Sequence, residues 1–378
     1  MKLTTAGESH GKALVAIIEG VPAHLKINLD RINSELALRQ KGYGRGARQN
    51  VEKDEVEILS GVRNGETLGS PIALCVWNKD YKNWADCMSA SDCDEQKMLE
   101  KSLTKVRPGH ADLTGVIKFE QTDARNILER ASARETAIRV AAGGIFKEYL
   151  SALGVEISGL VREICSVKDE NEYSFDELKG AKNTELGMLD SAKSALAKAK
   201  IDELKANGDT AGGIVEIRVR GLKSGFGSMM TYTEKLDARL AGALMSIQAV
   251  KGVEIGMGFD SARASGKLVH DEICYDENGF FRKTNRAGGI EGGTSNGEEI
   301  VVKIAMKPIP TLMQGLKTVD YTTKEQAVAS SERSDVCAIF ALEIIAESVV
   351  AEVLANAVSE RLGGDTMSQV ITRYTALP

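Results

Sequence analysis

The stretch SARETAIRVAAGGIFKEYLSALGVEISG, residues 132–159, carries the reading on which the fold turns. Ile138, Ala142, Ile145, Tyr149 and Leu153 recur at helical spacing, so residues 132–153 are expected to form one long amphipathic helix. Ser132 and Glu135 fit the S-x-x-E capping box, whose side chains satisfy the first free N–H groups of a helix. Gly154 then stops the helix, and VEISG reads as a strand. A second helix, residues 235–250, runs into GVEIGMG at 252–258. The repeated helix–Gly–strand unit suggests two related halves packed as one layered α/β body with mixed sheets.

Working outward, further helices are expected at 30–39, 191–206 and 335–361, and strands at 14–19, 56–62, 72–77, 214–219 and 300–306. RNGETLGS joins the second and third strands as a hairpin-type connection through Asn64-Gly65. No Pro/Ser-rich linker divides the 378 residues, so residues 1–378 are read as a single domain. A net charge of −6 gives no general attraction to nucleic acid or to an anionic membrane. No apolar run approaches the roughly 20 residues that span a bilayer, and no targeting leader is evident. The six cysteines form no CxxC pair and no metal-ligand set, which suggests no metal and a reducing cytoplasm.

Six stretches could carry chemistry. TTAGESHGKA (4–13) sets His10, one of only four histidines, between Gly7 and Gly11. A surface turn explains it equally simply. RPGHADLTG (107–115) gives His110 the same glycine-flanked setting, two residues before Asp112, and histidine titrates near neutrality. Arg130, Arg134 and Arg139 crowd the start of the long helix, against its dipole, which makes sense if an anion sits there. Arg39, Arg45 and Arg48 alternate with glycines in RQKGYGRGARQ (39–49), a loop suited to clasp phosphate or carboxylate. AGGIEGGTSNGEE (287–299), with KPIPT (307–311) after it, offers bare N–H groups but matches neither a P-loop nor a dinucleotide fingerprint. In ERSDVCAIF (332–340), Asp335 fits the N-cap of the last helix, which leaves Arg333 unexplained.

Together these stretches resemble the chorismate synthase family. Its motifs run in order as GESHG (7–11), RPGHAD (107–112), RASARETAIRVAAGG (130–144), QAVKGVEIG (248–256), GGIEGGTSNGE (288–298) and RSDVC (333–337), from Thr5 to about Asp365. The resemblance implies an α+β fold, a single β–α–β sandwich, usually as a homotetramer. It implies conversion of 5-enolpyruvylshikimate 3-phosphate to chorismate by 1,4-anti elimination of phosphate, with reduced FMN and no net redox change.

Carried over by position, His10 is expected to protonate or stabilise the reduced flavin. His110 would donate a proton to the departing phosphate, and Asp335 would act with flavin N5 on the ring proton. The implied FMN contacts are Arg130, Ala131, Ser132, Gln248, Ala249, Gly292, Lys307, Pro308, Ile309, Pro310, Thr311 and Arg333. Arg39, Arg45, Arg48 and Arg134 are the expected substrate or nucleotide contacts. NADPH and a separate flavin reductase are the candidate sources of reduction. The glycines around His10 would let backbone approach the flavin.

The chain also departs from the family pattern. Ser334 and Val336 stand where many members have His and Pro, and DARNILER (123–130) replaces a glycine–arginine run. Arg125 is left without a clear contact. Two other readings remain open at this level: a flavin- or anion-binding protein without chemistry, and a flavin oxidoreductase consuming NAD(P)H.

Overall fold

The computed structural model describes residues 1–46, 52–277, 279–329 and 335–378. Two antiparallel sheets enclose a layer of helices. In the first sheet, β1 (Lys2–Ala6), β2 (Ala13–Glu19), β3 (Val56–Ser60) and β4 (Ile72–Trp77) lie in the order β1-β2-β4-β3. The second contains β5 (Glu156–Ile164), β6 (Val167–Lys168), β7 (Gly213–Arg220), β8 (Val250–Ile255) and β9 (Ile300–Met306). Its order is β8-β9-β7-β5-β6.

Between the sheets, helix α4 (Thr136–Ser151) packs on β2 and β4, and α7 (Ile339–Leu362) packs on β5 and β7. The two helices pack on each other, and α1 (Leu29–Gln40) lies beside both. This is the α+β sandwich expected. The sheets are antiparallel throughout rather than mixed, because each joins neighbours through hairpins and returns and not through parallel crossovers.

The central layer explains α7. From Ile339 to Ala351 it is buried on every side, as a helix with no polar face must be. A Cβ added to Gly143 of α4 would stand 2.3 Å from the Ser348 Cβ, so the two backbones touch where only glycine fits. Glu343 and Glu347 of α7 are nevertheless fully buried in this layer. Lys147 reaches Glu347 at 2.7 Å and Glu35 at 2.5 Å, and Lys182 reaches Glu347 at 2.7 Å. Burial, with Glu347 close by, pushes the Glu343 carboxyl well above the usual carboxylate range.

Several boundaries differ from the sequence reading. The long helix starts at Thr136, after a single 3₁₀ turn at Ala133–Glu135. Ser132 does accept a backbone N–H, from Arg134, but the Glu135 carboxylate turns to the Thr5 hydroxyl at 2.8 Å. The capping box is therefore not formed. A tertiary contact has taken its acid. Helix α6 (Leu236–Met245) stops early, and Ala249 adopts φ +68° before β8 begins. Gly154 ends α4 at positive φ, whereas Gly252 sits inside β8 beside a bulge, so the two helix–Gly–strand units differ in detail. Asn64 and Gly65, at φ +52° and +75°, form a two-residue turn between Val62–Arg63 and Glu66–Thr67. Strand β1 and helices α2 (Asp112–Phe119) and α3 (Arg125–Ala131) were not foreseen. All three position the site.

Candidate active site

Where α7 meets the loops around it, a cavity of about 400 Å³ opens. Ala338, Ala341, Leu342 and Ile345 of the α7 region give it an apolar floor. His10, His110 and Asp335 all line it, as do Arg39, Arg45 and Arg134. So do Ala131, Ser132, Gln248, Ala249, Lys307, Ile309, Pro310 and Thr311. Residues more than 300 positions apart in the chain thus share one wall.

His10 sits in the loop that returns β1 onto β2. Gly7 holds φ +114°, and a Cβ there would stand 2.5 Å from the Ala13 carbonyl. A Cβ on Gly11 would meet the Glu8 carboxylate at 2.9 Å. Gly7 is thus required by the fold of the loop itself, whatever the loop approaches. The Asn78 amide clamps the loop from β4's end, donating to the carbonyls of Glu8 at 3.1 Å and Gly11 at 2.7 Å. The His10 ring stacks on Trp84 with centroids 4.0 Å apart. Its Nδ1 lies 2.8 Å from Glu129.

His110 precedes α2 and places Nδ1 2.5 Å from the Asp112 carboxylate. Arg107 grips the same carboxylate through Nε at 2.9 Å, Nη2 at 3.0 Å and its backbone N–H at 3.0 Å. It also donates to the Thr311 hydroxyl at 3.1 Å. Burial alone would raise the Asp112 carboxyl, but the hydrogen bonds from His110 and Arg107 and the Arg107 charge outweigh it and hold it far below the usual range. Asp112 is therefore a fixed anion. Lys307 donates to the Gly109 carbonyl beside this loop.

Asp335 does not cap the last helix, whose N-cap is Ala338 with no side-chain bond. One carboxylate oxygen accepts the Gly46 N–H at 2.6 Å, and the other pairs with Arg45 at 3.0 Å. The pair ties the Arg/Gly loop to the start of α7. Arg39 and Arg134 meet at one buried carboxylate, Asp54, at 3.5 Å and 2.7 Å. Arg39 also donates to Thr136 and the Ala133 carbonyl, and Arg134 to Asn78. Burial lowers the Arg39 guanidinium to about 9, with Arg134 and Arg45 adding repulsion against the pull of Asp54.

Three expected contacts, Arg130, Gly292 and Pro308, fall outside the cavity wall. Arg130 bonds Thr5 and faces an open groove of about 370 Å³ with Arg139, Glu135 and Glu352, outside the cavity; Gln248 borders both. Gly292 turns between two short strands, Ile290–Glu291 and Thr294–Ser295, away from the cavity wall. Arg48 and Arg333 lie outside the described residues. Pro308 joins two wall residues without lining the cavity. Arg125 bonds the Lys101 carbonyl and lies over Trp84. Sequence reasoning missed Glu129, Asn78 and Trp84 as site residues. It quoted Arg107 only inside its motif.

An apolar floor beside several arginines, with two imidazoles and a carboxylate lining the same space, is the equipment of an enzyme that moves protons on a small molecule. Comparison with known proteins narrows this class. A family model described as chorismate synthase matches residues 1–359. A chorismate synthase of Geobacter metallireducens is 53% identical, covering 99% of this chain and 97% of that protein. One from Caldicellulosiruptor bescii is 52% identical, covering 99% and 98%. A solved structure described as the crystal structure of chorismate synthase is 40% identical with a TM-score of 0.79, covering 99% of this chain and 96% of that one. The chain belongs to the chorismate synthase family and is a lyase of the shikimate pathway.

Proposed function

We propose that the cavity converts 5-enolpyruvylshikimate 3-phosphate to chorismate by 1,4-anti elimination of phosphate and a ring proton, with reduced FMN bound in the same space. The observation that carries this reading is the convergence of His10, His110 and Asp335 on one cavity with a cationic rim. The substrate bears two carboxylates and a phosphate, and the rim supplies Arg45, Arg107 and Lys307 to meet them.

The residues suit a flavin. The α7 floor offers an apolar face to a flat ring, and the Gln248 side-chain oxygen is a buried acceptor with no hydrogen-bond partner among the described residues. Burial and the charge of Lys251 hold the Lys307 amine below its usual range, so a nearby phosphate relieves an unfavourable charge. Ala131, Ser132, Gln248, Ala249 and Lys307 to Thr311 would hold the cofactor. Reduced FMN supplies the electron density that the elimination needs without net redox change.

In this reading His110, its Nδ1 bound by Asp112, gives a proton from its other nitrogen to the departing phosphate. Asp335 takes part in removing the ring proton. One of its oxygens accepts the Gly46 N–H and the other pairs with Arg45, so a substrate carboxylate that draws Arg45 away loosens that ion pair as it binds. His10 would protonate or stabilise the reduced flavin. We further take residues 1–378 as one domain, acting as a homotetramer in a reducing cytoplasm. NADPH or a partner reductase would supply the reduction. The test is anaerobic: purified protein, dithionite-reduced FMN and substrate are mixed, and chorismate absorbance and phosphate release are followed. Matching appearance of both is expected. Folded protein that yields neither refutes the reading.

A further inference from the structure

Glu129 has no place in the roles above, yet three of its atoms hold the loop of His10. Its carbonyl accepts the Ser9 N–H at 2.9 Å. One carboxylate oxygen accepts the His10 backbone N–H at 2.7 Å, and the other lies 2.8 Å from His10 Nδ1. Glu129 is 2% exposed, on α3, and the ring it holds lies flat against Trp84 at an interplanar angle of 24°. Lys101 and Arg125 stand over the Trp84 ring at 4.9 and 5.4 Å, which helps hold that ring in place. The imidazole can neither swing about its bond nor leave its plane without breaking one of these contacts.

The chemistry of the contact fixes more than orientation. An ionised carboxylate only accepts hydrogen bonds, so the atom facing it at 2.8 Å must carry a proton. In a neutral imidazole that places the hydrogen on Nδ1 and the lone pair on Nε2. We propose that Glu129 is the positioning residue of His10: it fixes the Nδ1–H tautomer and leaves Nε2 as the proton-exchanging atom on the cavity side of the reaction. The inference rests on the reading above, in which His10 acts at the flavin. It assigns a task to a side chain that lies outside the cavity wall.

Replacing the carboxylate with an amide makes a specific difference. Glu129→Gln keeps size but offers one acceptor where two N–H groups of His10 need one each, and its NH₂ can donate to Nδ1. The tautomer preference is then lost or reversed while the loop keeps most of its anchors.

With only four histidines, ¹⁵N-histidine labelling gives a readable spectrum, and His10→Gln assigns the signal. In the wild-type holoenzyme above its histidine titration, His10 is expected to show a protonated Nδ1 and a bare Nε2. In Glu129→Gln this pattern should weaken or invert, with kcat lowered about 10–100-fold and KM little changed. A wild-type spectrum with the proton on Nε2 overturns the proposal, and so does a Glu129→Gln enzyme with unchanged kcat. Because the wild-type tautomer is read without turnover, its outcome is separable from the elimination assay.

Discussion

The two histidines of the cavity are mounted alike and braced differently. Each turns Nδ1 to a buried carboxylate, at 2.8 Å for His10 and 2.5 Å for His110. Behind His110, Asp112 is locked by three hydrogen bonds from Arg107. Behind His10, the nearest cation to Glu129 is Arg125 at 3.7 Å, and the bracing comes instead from Trp84 and backbone contacts. The lesson is one of division. The His110 mount binds its stability to an ion pair, so damage there unfolds as well as inactivates. The His10 mount is mostly packing and hydrogen bonding, so it can be disturbed chemically with less structural loss.

The largest expected effect is on turnover. His110→Ala should lower kcat by about 10²–10⁴-fold, the span that general acid catalysis supplies, with FMN affinity nearly intact by flavin titration. A large loss of flavin binding would instead make His110 a cofactor-site residue and remove the distinction between the two mounts. Next comes stability. Asp112→Asn leaves Arg107 buried without its anion and should cost about 3–5 kcal/mol in urea denaturation, against about 1–2 kcal/mol for Glu129→Gln. Equal costs would erase the comparison.

The same asymmetry has a pH signature. The Asp112 carboxyl is depressed in the folded state, so its contribution is fully present above the usual carboxylate range and is lost as pH falls through the lower folded value. Wild-type stability should therefore fall more steeply in acid than that of Asp112→Asn, measured as denaturation midpoint against pH. Parallel curves would show that Asp112 is not the fixed anion its contacts indicate. The smallest effect belongs to a carboxyl outside the site. Burial holds the Glu343 carboxyl well above its usual range, which favours its neutral form, so the neutral isostere Glu343→Gln should change stability by about 1 kcal/mol or less, read from the urea denaturation midpoint.

The contrast also marks what the sequence could reveal. Asp112 stands two residues from His110 inside one motif, so their nearness was readable, and the structure joins them at 2.5 Å. Glu129 stands 119 residues from His10, and no period or spacing links them. The same holds for Thr5, which draws Glu135 out of its capping box across 130 residues. Asp335 looked like an N-cap because it precedes a helical pattern, but Arg45 and the Gly46 N–H claim it. Long apolar patterns located the central helices and most strands. The short polar ends of those elements, where long-range partners compete with local ones, were not legible, and the site is built from them.

A single-turnover experiment tests the central claim most directly. Reduced FMN, enzyme and a limiting amount of 5-enolpyruvylshikimate 3-phosphate are combined without oxygen or added reductant, and flavin absorbance is followed with phosphate and chorismate. One phosphate per chorismate, with the flavin reduced at the end as at the start, is the expected result. Flavin oxidised in proportion to substrate, or folded enzyme releasing no phosphate, would contradict it.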